Sequence, residues 1–334
     1  MSSVCAPETG SARPHNLVLR LVGPLRTVFE MTEAGREPAP AGLLDEVASD
    51  PDPWLRAIAR LIRGHVALNF GRQHAEAEAD FRAAADLCRE LGERWGTGFA
   101  LVSLATLAAW RGEFAAAVAL HTEALTLAAE LGAREDVVTF RTHLARELWL
   151  LGDRDRAAAE LARAVREADR AGLPDLRATA AYVDGDLARL DGDLGRARAA
   201  LARAAELTGR QNSVPQFVAL IATTLGLLAG TEGDLALART RHAEALAAVR
   251  PTHDAPVIAH VVVGLADLAL REGDPARAAE LLGASLGIRG TPDASIADCA
   301  RIEAAARAAL GEDGYAEALG RGRAAGLDAI RSFA

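Results

Sequence analysis

Six glycines, Gly71, Gly112, Gly152, Gly192, Gly233 and Gly273, recur at intervals of 41, 40, 40, 41 and 40 residues, and this period constrains the fold more than any other feature of the chain. The residue seven positions before each is small: Gly64, Ala105, Ala145, Gly185, Gly226 and Ala266. Five residues after the last five glycines stand Ala117, Ala157, Ala197, Ala238 and Ala278, and seven further on come Ala124, Ala164, Ala204, Ala245 and Ser285. The first unit joins the register if one residue is inserted after Gly71, which aligns Ala77, Phe81 and Ala84.

Each unit predicts two helices. In the third, Val137, Phe140, Leu144, Leu148 and Leu151 step by three or four, and beyond Gly152 so do Ala157, Leu161, Ala164 and Ala168. Glycine supplies the left-handed residue that ends the first helix. The acid that follows (Glu113, Asp153, Asp193, Asp234, Asp274) is placed to cap the second helix and complement its dipole. Pro275 suits a first-turn position, and Gly92, Gly132, Gly172 and Gly209 close the second helices. Small residues at fixed places let the helices approach closely, which is how 50% apolar residues with only 4% aromatics can make a core.

Composition also removes chemistries. All 37 basic side chains are Arg, so the chain has no Lys for a P-loop, a Schiff base or a Ser-x-x-Lys acylase. Its net charge of −9 gives no general attraction for nucleic acid phosphates. Cys5, Cys88 and Cys299 are odd in number and far apart, which suits free thiols in the cytoplasm. No uninterrupted apolar stretch reaches the roughly 18 residues of a membrane span, and no signal peptide is recognisable, so a soluble chain that is not exported is expected. We divide it into a disordered lead-in (1–14), an N-terminal helix and linker (15–45) with the helix over Leu17–Met31, a repeat array (46–290) and capping helices (291–334).

The spacing of small helix A residue, turn Gly and two helix B alanines resembles the tetratricopeptide repeat, in all six units. That resemblance implies an all-α, right-handed solenoid of about six helix pairs plus a C-terminal cap. The unit is about 40 residues instead of the family's 34, and its helix A aromatic positions hold residues such as Leu101, Ala108 and Leu148. The stretches DPWLRAIARLIRGHVALNFGR, LGERWGTGFALVSLATLAAWRGEF and HDAPVIAHVVVGLADLALREGDPARAAELLGAS further resemble the C-terminal repeat region of actinobacterial AfsR/SARP-type transcription regulators. Large ATPase-bearing LuxR-type regulators carry related arrays. In those families the repeats receive signals or mediate assembly, while separate domains bind DNA and nucleotide. Nothing in this sequence resembles a winged helix or a complete Walker A motif.

In the repeat family, ligands contact helix A positions that line the concave surface. Those offsets select Thr106, Trp110, Thr139, Thr142, Arg146, Trp149, Tyr182, Asp186, Arg189, His260, Asp267 and Arg271. Trp110, Arg146, Trp149, Tyr182, Asp186 and Arg189 form the expected ligand or partner site, because aromatic faces beside guanidinium groups suit a planar or acidic ligand. The alternative is structural: the Trp residues fill gaps between repeats and the Arg and Asp residues pair across neighbouring units.

Apparent enzyme motifs carry little weight. Gly283-Ala284-Ser285-Leu286-Gly287 matches a nucleophile elbow but lies inside a predicted helix, where the strand–turn–helix context is missing. Gly320, Gly322 and Gly326 have the wrong spacing for a dinucleotide fingerprint and read as a fraying C-terminus. Asp184, Asp186, Asp191 and Asp193 lack a calcium loop, and no two of the eight His residues stand at a helical zinc spacing. His121 and His242 occupy the same helix B position and read as packing residues. The expectation is a non-catalytic binding or sensor module in regulation of transcription or secondary metabolism, with no cofactor or metal, no direct nucleic acid or membrane binding, and a protein, peptide or small effector as partner. A structural scaffold or self-associating homo-oligomer is the alternative.

Overall fold

In the computed structural model, residues 44–45, 47–71, 73–209 and 214–333 are described. The lead-in and the helix expected over Leu17–Met31 lie outside them. Among the described residues there are thirteen α-helices and no strand. They form six antiparallel pairs: α1 Pro53–Val66 with α2 His74–Glu90, α3 Arg94–Trp110 with α4 Phe114–Leu131, α5 Arg134–Leu151 with α6 Arg154–Ala171, α7 Pro174–Leu190 with α8 Leu194–Gly209, α9 Pro215–Thr231 with α10 Leu235–Val249, and α11 Ala255–Arg271 with α12 Pro275–Arg289. The cap is α13, Ala297–Ala325, bent into two helices where Gly311 takes φ 71° and ψ 170°. Each helix packs on its predecessor, and the first helices of most successive units also touch, as α5 does α7 and α9 does α11.

The small positions are packing holes. A Cβ at Gly64 would lie 2.6 Å from the Phe81 ring, one at Gly185 2.6 Å from Leu201, and one at Gly226 2.5 Å from His242. In each case a helix B side chain, nine or ten residues past the turn glycine, fills the hole left on helix A. Ala124, Ala164, Ala204 and Ala245 on the second helices are fully buried, so the pairs interlock over short distances.

The turns follow the sequence in detail. Gly112, Gly152, Gly192, Gly233 and Gly273 all have positive φ, as do Gly92, Gly132 and Gly172 at the ends of second helices. Gly209 instead is the last residue of α8. Asp153, Asp193, Asp234 and Asp274 accept hydrogen bonds from amides three residues on. Glu113 makes no such cap; its longer side chain pairs with Arg111 at 2.8 Å. In the first unit α1 runs into a π-helical turn over Ala67–Gly71.

One helix among the described residues, α4, is long and apolar enough to cross a membrane by length and composition, with mean hydropathy 1.3. It sits within the array as the partner of α3 and α5, and its Glu123 accepts from Arg89 of α2 at 2.9 Å. Similar pairs, such as Arg111–Glu78 at 3.1 Å and Arg203–Asp169 at 2.9 Å, join neighbouring units and account for part of the Arg content. Being largely exposed, each contributes at most about 1 kcal/mol.

Two glycine-rich segments meet where α12 crosses α13. Cβ atoms at Gly283 and Gly322 would fall 2.0 Å from the Leu319 carbonyl oxygen and 1.7 Å from the Glu280 carbonyl oxygen. Gly322 therefore belongs to the closest glycine-mediated helix contact among the described residues, and the expected fraying of that segment is corrected: the backbones approach because neither position carries a side chain.

Candidate functional site

The inner face of the superhelix is lined by the first helices, and the end of the sixth unit reaches back across it to the start of the array. The His74 Nε2–H donates to the Arg289 carbonyl oxygen at 2.8 Å. The Ala294 amide donates to the Trp110 carbonyl oxygen at 2.9 Å. That carbonyl is at the C-terminus of α3, where the helix itself supplies no partner. The Arg289 guanidinium lies 4.9 Å from the Trp110 ring centroid, and His74 meets the same ring edge-on. Trp110 is consequently buried between the first and last units.

Arg146, Asp186 and Arg189 do come together, along with Trp149. Arg146 donates to Asp186 at 2.6 Å, and Asp186 accepts from Arg189 at 2.8 Å. Arg189 then donates to Asp298 at 2.7 and 3.2 Å, and Asp298 accepts from Arg301, which also donates to Asp267 at 2.6 Å. Asp267 in turn accepts from Arg271 at 2.7 Å. An alternating chain of guanidinium and carboxylate groups thus runs from α5 through α7 and the start of α13 to α11. Burial acts to raise the Asp186 carboxyl, but the charges of Arg146 and Arg189 outweigh it and hold the group below its ordinary range. Asp298 is held down in the same way by Arg189 and Arg301 against its own burial.

The remaining sequence-selected residues divide by role. Trp149 is half-buried at the rim, donates through Nε1 to Asp191 at 2.8 Å, and carries the Arg154 guanidinium 3.5 Å from its ring centroid. Tyr182 is buried and packs edge-on against Phe217, with ring centroids 5.7 Å apart. Thr106, Thr139 and Thr142 turn their hydroxyls onto backbone carbonyls of their own helices. His260 lines the same groove as Arg146 and Asp186, and desolvation together with Arg146 lowers its pKa to about 4. Pairing across units, the structural alternative, therefore describes Arg146, Asp186 and Arg189 as the structure shows them.

Sequence reading missed the partners supplied by the end of the last repeat and the segment beyond it: Arg289, Asp293, Ala294 and Asp298. A signal was present, since the run Gly290–Ile296 between α12 and α13 is longer than the breaks between α2 and α3, α4 and α5, or α6 and α7. It also missed Glu147, whose carboxyl meets the His121 Nδ1 at 2.6 Å in a fully enclosed site. Burial pushes Glu147 up to about 8 and His121 down to about 4, so the pair shares one proton and stays neutral overall.

The Ser285 hydroxyl lies within α12 and donates to the Ala259 carbonyl oxygen at 2.9 Å. Burial pushes the Cys88 and Cys299 thiols up to about 12, far from a reactive thiolate. Among the described residues no three His, Cys, Asp or Glu side chains group to hold a metal ion.

No family model matches the chain, and no curated protein matches it in sequence. Solved structures do resemble it. A Rap protein complexed with competence and sporulation factor superposes with a TM-score of 0.66 at 15% identity, covering 97% of this chain and 88% of that one. Aspartyl phosphate phosphatase F from Bacillus subtilis gives 0.50 at 16% identity, covering 87% and 80%. At these identities the likeness is one of architecture, and it places this chain among tetratricopeptide-like helical-repeat folds.

Proposed function

We propose that the chain is a non-catalytic binding module that holds a segment of a partner protein, or a peptide, on its concave face. The observation that carries this reading is the desolvated charge chain through Arg146, Asp186, Arg189 and Asp298, on the face that the repeat architecture leaves as a groove. Apolar residues would close such a face at lower cost, because burying ions is expensive even when they pair. Charges kept there give the groove directional recognition of polar main chain and carboxylates. The structural likeness to a Rap protein complexed with competence and sporulation factor supports a peptide or protein in preference to a small effector. A cytoplasmic role in transcription or secondary metabolism follows the sequence resemblance to AfsR/SARP-type regulators.

The test is selection of peptides from a random display library on the full chain, followed by titration of the winners against two variants. Arg146→Gln on the concave face should weaken binding at least tenfold, whereas Arg203→Gln on α8 should leave it unchanged. Equal effects of the two would remove the concave assignment.

A second reading, self-association, is favoured by Leu91, Leu131 and Leu173, which are 42%, 46% and 42% exposed at equivalent turns between successive units. They leave an apolar line along one edge of the array. Light scattering distinguishes the readings: an adaptor of this kind is a stable oligomer without peptide.

A further inference from the structure

The inner face is already occupied by the chain itself. After α12 the backbone leaves helical geometry at Gly290, whose φ is 89°, and runs irregularly to Ile296 before α13 begins. Along this run the scaffold treats it as a binding protein treats an extended peptide. Its main chain meets the array through the Ala294 amide, which donates to the Trp110 carbonyl, and just before it the carbonyl of Arg289, the last residue of α12, accepts from His74. Its Asp298 carboxylate spans two donors of Arg189. Its Asp293 carboxylate is buried, paired with Arg289, and accepts from the Ser295 amide at 2.9 Å and hydroxyl at 2.5 Å. The backbone of Ser295–Asp298 fills the groove against Arg146, Trp149, Leu190 and His260, leaving a residual cavity of about 10 Å³. That is room for about one water.

The fit is incomplete in one respect. The Arg189 Nε–H is buried and has no acceptor, although both terminal nitrogens of the same guanidinium face carboxylates. A buried donor left without an acceptor destabilises the state that contains it. A carboxylate free to approach the guanidinium edge through Nε would satisfy it, and one tied to the first turn of α13 does not.

We propose that Gly290–Asp298 is a resident ligand of the concave face, holding the place of an extended acidic segment of a partner protein that carries two carboxylates five residues apart. The incoming segment displaces it, takes over the Trp110 carbonyl through a backbone amide, and seats its second carboxylate on Arg189. Displacement releases the strut between α13 and α7, so that binding is reported at the C-terminal cap. This assignment rests on the concave-face reading above and narrows its partner to an acidic segment. Because the resident is covalently attached, it competes at an effective concentration on the order of millimolar, and an external segment must overcome that.

The probe is a fluorescein-labelled synthetic peptide with the sequence of residues 289–298, titrated by polarisation against the full chain and against Asp298→Asn. The variant should bind it at least about tenfold more tightly than the wild-type chain, and a peptide whose last Asp is replaced by Asn should lose that gain. Ala294→Pro, which removes the amide donated to Trp110 without replacing a charged side chain, is the second variant and should give the same direction if Asp298→Asn fails to fold. Equal affinity for wild type and variants would overturn the proposal. Absence of peptide binding to all three chains overturns it as well and makes the segment a structural brace. In that case library-selected peptides that still bind in an Arg146-dependent manner leave the concave reading standing, and their absence removes both.

Discussion

Arg189 and Asp298 stand 109 residues apart in sequence and are joined by two hydrogen bonds, with both side chains only 6% exposed. This pair ties the cap to the middle of the array. Removing one member leaves a buried charge without its partner, so Arg189→Leu should cost about 3–5 kcal/mol of stability in urea unfolding. Replacing both together, as Arg189→Leu with Asp298→Leu, should cost less than the single change. A double variant as unstable as the sum of the two singles would show that the residues do not act as a pair.

His242 is packed face to face with two glycines. A Cβ at Gly226 would lie 2.5 Å from its ring and one at Gly264 2.7 Å. Gly226→Ala should therefore destabilise by about 1–3 kcal/mol through overpacking, and most of that cost should vanish in a His242→Ala background. Thermal or urea unfolding of the four chains measures the coupling.

These local contacts explain why so much was legible in the sequence. Gly226 and His242 belong to one unit, and the same spacing recurs in the others, so the helix pairs, turn glycines and Asp caps can be read residue by residue. Positions at the inner offsets could be placed on one face, but their partners could not. The contact of Trp110 with Ala294, like that of Arg189 with Asp298, depends on rotation accumulated over several units, and no single unit's pattern encodes that sum. Glu113 shows the opposite limit: it occupies a capping position, yet the added methylene of Glu over Asp lets it reach Arg111 instead.

The buried imidazoles set a pH dependence. Desolvation lowers His242 from 6.5 to about 4, with only the Asp267 charge opposing it. The folded state then binds fewer protons than the unfolded chain between those values. Stability is complete above pH 6.5 and falls as the pH drops towards 4, by about 3 kcal/mol for this residue. Glu147, raised by burial from 4.5 to about 8, acts in the other direction: its contribution is complete below 4.5 and is lost as the pH rises through 8. His242→Leu should make the urea midpoint fall less steeply between pH 6.5 and 4, leaving the share of the other buried imidazoles such as His121 and His260, and leave the alkaline limb unchanged. A variant with the wild-type acid limb would locate that dependence elsewhere.

At the crossing of α12 and α13 the constraint is steric. Gly322→Ala should loosen the cap by more than about 1–3 kcal/mol, because its Cβ would overlap the Glu280 backbone and neither helix can move a side chain aside. Ser285→Ala, which loses one buried hydrogen bond, should cost about 0.5–1.5 kcal/mol. Hydrolysis of generic esters should be the same for wild type and Ser285→Ala, and a loss confined to the variant would restore a catalytic role for that serine.

Hydrogen–deuterium exchange of the wild-type full chain, with and without a library-selected peptide, tests the central claim most directly. The account predicts protection gained along the inner segments of α3, α5 and α7 together with faster exchange at the Ala294 amide, as the resident segment leaves the Trp110 carbonyl. Protection confined to the second helices or to the edge bearing Leu91, Leu131 and Leu173, with Ala294 unchanged, would contradict it.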